Sequence, residues 1–279
     1  MDDMKVLIYT NKNNYVESVA REFISLKFPQ TTQCVLLHVR RKNAKPQKYP
    51  DALQAMESLL SEYFTTIEIK IVDGDVDKQI LSEINSDHYD LLILGNLQKK
   101  KGLFKRHLDS TVKNIISEVN VPILFVRRYK ENIAKVLICT AGEKISADTL
   151  KVGGRLVSFS QAQVRVLHVM SQLALDVNSS AEDLLDSAQT AIQRQTREGI
   201  HLAWAVEQVQ NAGVTSQVIP VLRHGLVLDQ VVAELREGKY DLLVIGSHQI
   251  SGRSHTLDLL LEDVTSELVS ETGRSVLIV

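Results

Sequence analysis

Tyr89-Asp90-Leu91-Leu92-Ile93-Leu94-Gly95 is followed, 151 positions on, by Tyr240-Asp241-Leu242-Leu243-Val244-Ile245-Gly246. Each stretch has a polar entry, an unbroken apolar run and a glycine exit, as in a parallel strand covered on both faces. Around it other stretches recur in the same order. Lys5-Val6-Leu7-Ile8-Tyr9-Thr10 returns as Lys135-Val136-Leu137-Ile138-Cys139-Thr140, and Leu36-Leu37-His38-Val39 returns as Val166-Leu167-His168-Val169, both at an offset of 130. Val121-Pro122-Ile123-Leu124-Phe125-Val126 closes the first copy and Arg274-Ser275-Val276-Leu277-Ile278-Val279 the second. Four strand-like runs repeated in one order mark a duplicated domain.

The bulk numbers agree with two domains. A length of 279 residues fits about two, each able to bury its own core. Apolar content of 44% and charged content of 24% are those of a globular protein, and a net charge of −2 gives no push toward nucleic acid or a membrane surface. No apolar run approaches the roughly 20 residues of a membrane span, and Met1-Asp2-Asp3-Met4-Lys5 lacks the apolar stretch of a secretory leader. Cys34 and Cys139 are the only cysteines, and both sit in apolar runs, so the expected compartment is a reducing cytoplasm.

Along copy one, strands alternate with helices. Val6 to Tyr9 is the first strand. Val16, Val19, Ala20, Phe23 and Ile24 recur at helical spacing. Gln33 to Val39, Thr66 to Val72, Leu91 to Leu94 and Pro122 to Val126 are the next four strands. Ala52, Met56, Leu59 and Leu60 mark a second helix, Val76, Ile80, Leu81 and Ile84 a third, and Val112, Ile115, Ile116 and Val119 the last. Such alternation implies βαβ units with right-handed crossovers and a parallel sheet. Copy two repeats it with about 21 extra residues, a difference read from its two offsets. They fall in a polar lead from Gln172 to Ser187 that enters a helix expected from about Glu182 to Gln210. This helix carries the only tryptophan, Trp204, expected to pack in a core. Domains are expected at 1–128 and 135–279, with a linker at about 129–134.

In an open parallel sheet ligands bind beyond the carboxyl ends of the strands, where strand order reverses. The loop after the fourth strand opens there onto a helix N-terminus, whose free N–H groups attract anions. The strand runs, the Leu-His-Val second strand, the Asp-Leu-Leu-Ile-Leu-Gly fourth strand and the closing Val-Pro-Ile-Leu-Phe-Val resemble the universal stress protein (UspA) family, across essentially the whole chain and as a tandem pair. The resemblance implies an α/β fold of two Rossmann-like (adenine nucleotide alpha hydrolase-like) domains, each a five-stranded parallel sheet of order 3-2-1-4-5 with flanking helices. Some family members bind ATP through Gly-x2-Gly-x9-Gly-[Ser/Thr] after the fourth strand, with an Asp after the first strand and a Val in the second.

Placed on this chain, the family-equivalent cofactor positions are Asn11, Val39, Gly95 and Ser110 in copy one, and Ala141, Val169, Gly246 and Ser247 in copy two. Both sets are degenerate. Gln98 and Gln249 replace the second glycine. Asp109 replaces the third after a loop one residue too long, and Glu262-Asp263 replace the Gly-Ser pair after a loop three residues too long. Asn11 and Ala141 replace the acid. A carboxylate at the helix N-terminus caps the free N–H groups that a phosphate needs, and repels the phosphate as well. A Mg²⁺ bridge is the one way around this.

Other signals are weaker. From Gly95 to Lys135 there are ten Lys or Arg, including Lys99-Lys100-Lys101 and Lys105-Arg106, against three acids; from Gly246 to Val279 there are two bases against five acids. The basic run reads as a solvated face, with an anion or partner-docking patch as the sharper reading. Phe104 alone interleaves with it, so nucleic acid is not expected. His38 and His168, equivalent under the repeat, are expected to pack or hydrogen-bond; His248 and His255 lack further ligands at zinc-like spacing, so no metal is expected. Asp73-Gly74-Asp75 and His224-Gly225 are expected turns. The chain has no Gly-x-Ser-x-Gly, Walker A, Cys-x-x-Cys or His-Glu-x-x-His motif.

The expectation is therefore a cytoplasmic, non-catalytic stress-response or regulatory protein. It acts through a protein partner or a small ligand in the crevice, with no cofactor. The alternative is an ATP/AMP-binding stress sensor that uses one copy, with ATP and Mg²⁺ as ligands. An internal pseudo-dimer through the fifth strands is expected, with Ile123-Leu124-Phe125 near Val276-Leu277-Ile278, because pairing removes an exposed sheet edge. Further homodimerisation is open.

Overall fold

Apolar residues at every position of a short strand leave it no face for water, so it must lie between layers of helices. In the computed structural model, which describes residues 4–9, 13–40, 51–95, 110–127, 131–141, 143–170, 187–246, 264–270 and 272–279, that is the position of the repeated runs. The chain divides into two compact units, one of residues 1–132 with 269–277, the other of 133–268 with 278–279.

The first unit runs β1 (Lys5–Tyr9), α1 (Asn13–Ser25), β2 (Gln33–Arg40), α2 (Asp51–Leu60), β3 (Thr66–Asp73), α3 (Val76–Ser86), β4 (Leu91–Gly95), α4 (Ser110–Glu118) and β5 (Ile123–Val126). Its sheet order is β3-β2-β1-β4-β5, all neighbouring pairs parallel. Val6, Leu7, Ile8, Leu91, Leu92 and Ile93 are buried at the centre, and Phe23 of α1 stacks on Phe64 at 4.7 Å between ring centroids. A strand formed by Ser275–Ile278, of which 275–277 group with this unit, lies next to β5. Residues 264–270 are helical. The Arg127 guanidinium donates to the Val269 carbonyl in the last turn of that helix, where a cation suits carbonyls that lack an intrahelical partner.

The second unit runs β6 (Lys135–Thr140), α5 (Glu143–Ser158), β7 (Gln163–Met170), α6 (Ala188–Gln193), α7 (Arg197–Asn211), β8 (Val218–His224), α8 (Val227–Gly238) and β9 (Leu242–Ile245). Its order is β8-β7-β6-β9, with β6 parallel to β7 and β9, and β7 parallel to β8. Val279 N donates to Ile245 O at 3.0 Å. Both units are α/β with Rossmann-like crossovers.

The repeated Tyr-Asp pair has a structural explanation. Lys5 N donates to Asp90 Oδ2 at 2.8 Å, and Asp90 N returns a bond to Lys5 O at 2.8 Å. In the second unit Asp241 Oδ2 accepts from Ala134 N at 2.9 Å and Lys135 N at 3.0 Å. The tyrosine reaches back six residues to a helix carboxylate. Tyr89 donates to Glu83 at 2.5 Å, and Tyr240 donates to Glu234. Each carboxylate has a base beside it. Lys70 Nζ donates to Glu83 at 2.6 Å, and Arg223 Nε to Glu234 at 2.7 Å. Glu234 is 4% exposed, so without these partners it would be an uncompensated buried charge.

The helix expected from Glu182 to Gln210 is instead two helices over its described part. Gln195 takes a left-handed φ of 54°, and Thr196 caps α7 by accepting from Gly199 N at 3.1 Å. Ser187 caps α6 in the same way through Thr190 N. The break packs α6 across the first turn of α7 at Gly199, where an added Cβ would stand 2.0 Å from the Ala191 carbonyl oxygen.

Gly199→Ala should therefore destabilise the protein. Helix propensity alone favours alanine by ~1 kcal/mol, but the backbone contact should reverse the sign and cost about 1–3 kcal/mol. The midpoint of urea unfolding measures it; a midpoint at or above that of the parent chain would show that α6 does not pack there.

Candidate functional site

The carboxyl ends of the strands carry the polar groups that the sheet interior excludes, and the two units build them differently. In the first unit Val39 lies buried on β2 in register with Val72, and Gly95 ends β4, buried, in register with Val126. Ser110 opens α4. Arg40 and Asp73 end β2 and β3 in register, and Arg40 Nη2 donates to Asp73 Oδ2 at 2.9 Å. Burial and the neighbouring Arg40 hold His38 below its ordinary range. Gly74, at φ 144°, makes the expected turn and donates to Arg40 O at 3.0 Å.

In the second unit Thr140 ends β6 and is 6% exposed. Ala141, where the resemblance puts an acid, is exposed, and its N–H donates to Ser146 Oγ of α5 at 2.7 Å. Val169 is half-buried on β7 opposite Arg223. Gly246 follows β9, and an added Cβ there would stand 2.6 Å from Thr149 Oγ1 of α5. This glycine is thus needed for packing, whatever the loop beyond it binds. Asn11, Gln98, Asp109, the basic run over 99–106, Ser247, His248, Gln249, His255, Glu262 and Asp263 lie outside the described residues.

Tertiary packing adds a group that the sequence pattern does not single out. His201, in the first turns of α7, is 6% exposed, and its Nε2 lies 2.8 Å from Thr140 Oγ1. His168 Nδ1 donates to the Thr140 carbonyl at 3.3 Å, so this one residue takes an imidazole on its hydroxyl and another on its backbone oxygen. The His168 and His201 rings meet edge-on at 4.8 Å, and the Trp204 ring lies 5.6 Å from His201. Trp204, half-buried, packs against an imidazole of its own helix. His201 Nδ1 and both ring nitrogens of His224 are buried and have no hydrogen-bond partner. Burial, assisted by the neighbouring His168, lowers His201 from 6.5 to about 4. Burial also lowers His168, against the Thr140 carbonyl and Glu198, which favour its protonated form. The signal in sequence is Thr196, a helix cap five residues before a histidine that helical spacing turns inward.

Chemically the arrangement is closed. Thr140 and His201 have the spacing of a hydroxyl and its base, but His201 Nδ1 has no carboxylate to orient it, and both residues are buried. Among the described residues no group of three or more His, Cys, Asp or Glu is placed to hold a metal ion, and no helix is long and apolar enough to cross a membrane.

Thr140→Val, similar in volume, should cost about 1–3 kcal/mol by leaving both His201 nitrogens unpartnered. Equilibrium urea unfolding at neutral pH reads it. A loss below ~0.5 kcal/mol would mean that the hydroxyl contributes nothing beyond its packing.

The fold and the sequence both have known counterparts. The sequence model described as "Universal stress protein family" matches residues 29–127 and 132–279. Among solved structures the chain is similar to a universal stress protein from Archaeoglobus fulgidus DSM 4304, with 13% identity, coverage of 98% of this chain and 95% of that one, and a TM-score of 0.63. It is also similar to a putative universal stress protein from Pseudomonas aeruginosa UCBPP-PA14, with 14% identity, coverage of 99% and 93%, and a TM-score of 0.67. At these identities the structures speak to the fold alone. No curated protein matches the sequence.

Proposed function

The chain belongs to the universal stress protein family, and we propose that it is a non-catalytic regulatory member whose second crevice does not take ATP. The observation that carries this reading is His201 seated on Thr140 at the end of β6. A side chain of α7 holds the hydroxyl there, Ser146 holds the Ala141 amide, and no acid stands where the family pattern has one. The second and third glycines of the motif, which let a backbone approach phosphate, are replaced in both copies, and the third is an acid in each, Asp109 and Glu262, whose charge opposes a phosphate.

The same features support a role in binding over one in catalysis. The hydroxyl and imidazole that resemble a nucleophile and its base face each other inside the protein. Function then rests on a protein partner or small ligand at a crevice mouth, without a cofactor. Burial pushes the Cys34 and Cys139 thiols up to about 12, which leaves them unreactive and fits a cytoplasmic protein. The second reading, an adenine-nucleotide sensor working through the first copy, draws on Gly95 and Ser110, the two positions of the motif retained there.

Calorimetric titration of the full chain with ATP and AMP, with and without Mg²⁺, separates the two. The regulatory reading expects no stoichiometric binding at micromolar protein and no thermal shift. Tight binding at one site per chain would overturn it. If Ser110→Ala then abolished that binding, the sensor reading would hold, with the first copy as its site. Mass spectrometry of the purified protein tests for a different copurified ligand.

A further inference from the structure

Three imidazoles converge at the carboxyl ends of β6, β7 and β8, and the duplication did not supply them together. His168 has its repeat partner in His38, but His201 corresponds to Pro50 and His224 to Asp73. In the first unit the register pair at this place is Arg40 with Asp73, a charge-assisted pair. In the second unit the same register pair is Met170 with His224. An ion pair whose charge persists across physiological pH has thus been exchanged for an apolar residue and a titratable ring. α7 then brings His201 to Thr140 and to the edge of the His168 ring.

The geometry makes protonation here costly for reasons that do not depend on any one group. His201 is 6% exposed, and its Nδ1 faces no acceptor. A second proton on that ring would create a buried N–H with nothing to receive it. His201 also sits in the first turns of α7, where the helix dipole disfavours a cation. Its ring lies 4.8 Å from that of His168, so a charge on one opposes a charge on the other. The groups facing the cluster do little to compensate. From α7, Glu198 favours charge on His168 and Arg197 opposes it, and from β8, His224 opposes it. β6 offers only Thr140, already bonded to both rings. α6 brings no titratable side chain between Ala188 and Gln193, and the Arg194 that ends it is exposed. On α5, Asp148, Lys151 and Arg155 are exposed.

We infer that His168 and His201 form an acid-released latch on Thr140, which holds the first turns of α7 on the end of β6 while the two rings are neutral and lets them go when they are protonated. The hinge is already present at the α6–α7 break, where Gln195 is left-handed and Thr196 caps the new helix. The sign follows from the folded state binding protons less readily than the unfolded chain. The hold is complete above about 6.5, the ordinary histidine value, and is lost progressively as pH falls toward about 4, where His201 itself titrates. The latch goes beyond the regulatory reading above and stands whether or not that unit binds a ligand. It would open the crevice end of the second unit and leave the first unit unchanged.

The full-length chain carries its own reporter, because Trp204 is the only tryptophan and its ring lies 5.6 Å from that of His201. Trp emission, far-ultraviolet circular dichroism and hydrogen exchange of the peptide covering 196–205 should be followed from pH 8 to pH 4, with exchange corrected for its intrinsic pH dependence. The expected result is quenching and a spectral shift with a midpoint between 6.5 and 4, with about tenfold or greater loss of protection in that peptide and helix content largely kept. His201→Gln and His168→Gln should each flatten the transition. Emission and protection that stay constant over this range would overturn the latch. So would a transition that keeps its midpoint in both variants. If either variant fails to fold, a histidine ring titration of the parent chain by NMR decides. Two depressed, mutually dependent titrations support the latch, and independent titration of all the histidines near 6.5 overturns it.

Discussion

In each unit one carboxylate joins the start of the fourth strand to the start of the first, and the placing of the crevice depends on that tie. Asp90 and Lys5 exchange bonds through side chain and backbone, and Asp241 holds the amides of Ala134 and Lys135. These strands are the central pair of a sheet whose order reverses between them, so their register decides where their carboxyl ends stop and the crevice begins. The neighbouring tyrosine extends this anchoring to the layer above. Burial, with a helix carboxylate as acceptor, holds the Tyr89 and Tyr240 phenols well above their ordinary range, so both remain donors at any physiological pH. A Tyr-Asp pair therefore ties strand, strand and helix together in two consecutive residues. That suffices to explain its presence in both copies without any appeal to ligands.

With the scaffold held in this way, the strand ends could diverge, and they have. The first unit closes the ends of β2 and β3 with an exposed ion pair, which solvent screens and which contributes little to stability. The second unit closes them with imidazoles, hydroxyls and a methionine. Buried imidazoles are sensitive to pH in a range where arginine and aspartate are not. The two halves of the chain thus share a frame and differ in what they can respond to. Family membership and fold describe the frame. They leave the response to the side chains at its edge.

Strand positions are legible because parallel strands buried on both faces must be apolar at consecutive positions, and such runs survive duplication as visible repeats. The turns at Gly74 and Gly225 are legible for a similar local reason, since only glycine adopts their φ of 144° and 131° without strain. The α6–α7 break reads along the chain as one long helix because no proline marks it. The caps at Ser187 and Thr196 are visible in sequence, but hydroxyl residues are common inside helices too, and only the packing of Gly199 against Ala191 shows that these end one helix and begin another. Gly246 looks like a remnant of a phosphate loop; its neighbour Thr149 lies almost a hundred residues earlier in the chain, and no local pattern could pair them.

The sequence by itself determined the duplication, the alternation of strand and helix, and the family, because these are written in local periodicity and in repeated strings. It also showed that the glycine loops are degenerate, since the loss of a residue type is visible without coordinates. Only the tertiary structure decided that Thr140, His168, His201 and His224 belong to one cluster. Their separation of up to 84 positions is closed by the parallel register of β6, β7 and β8 and by the entry angle of α7. Long-range juxtaposition of this kind follows from how layers pack. The state of an imidazole depends on what is packed around it, so no reading along the chain could have shown that burial disfavours the charged forms of His168 and His201.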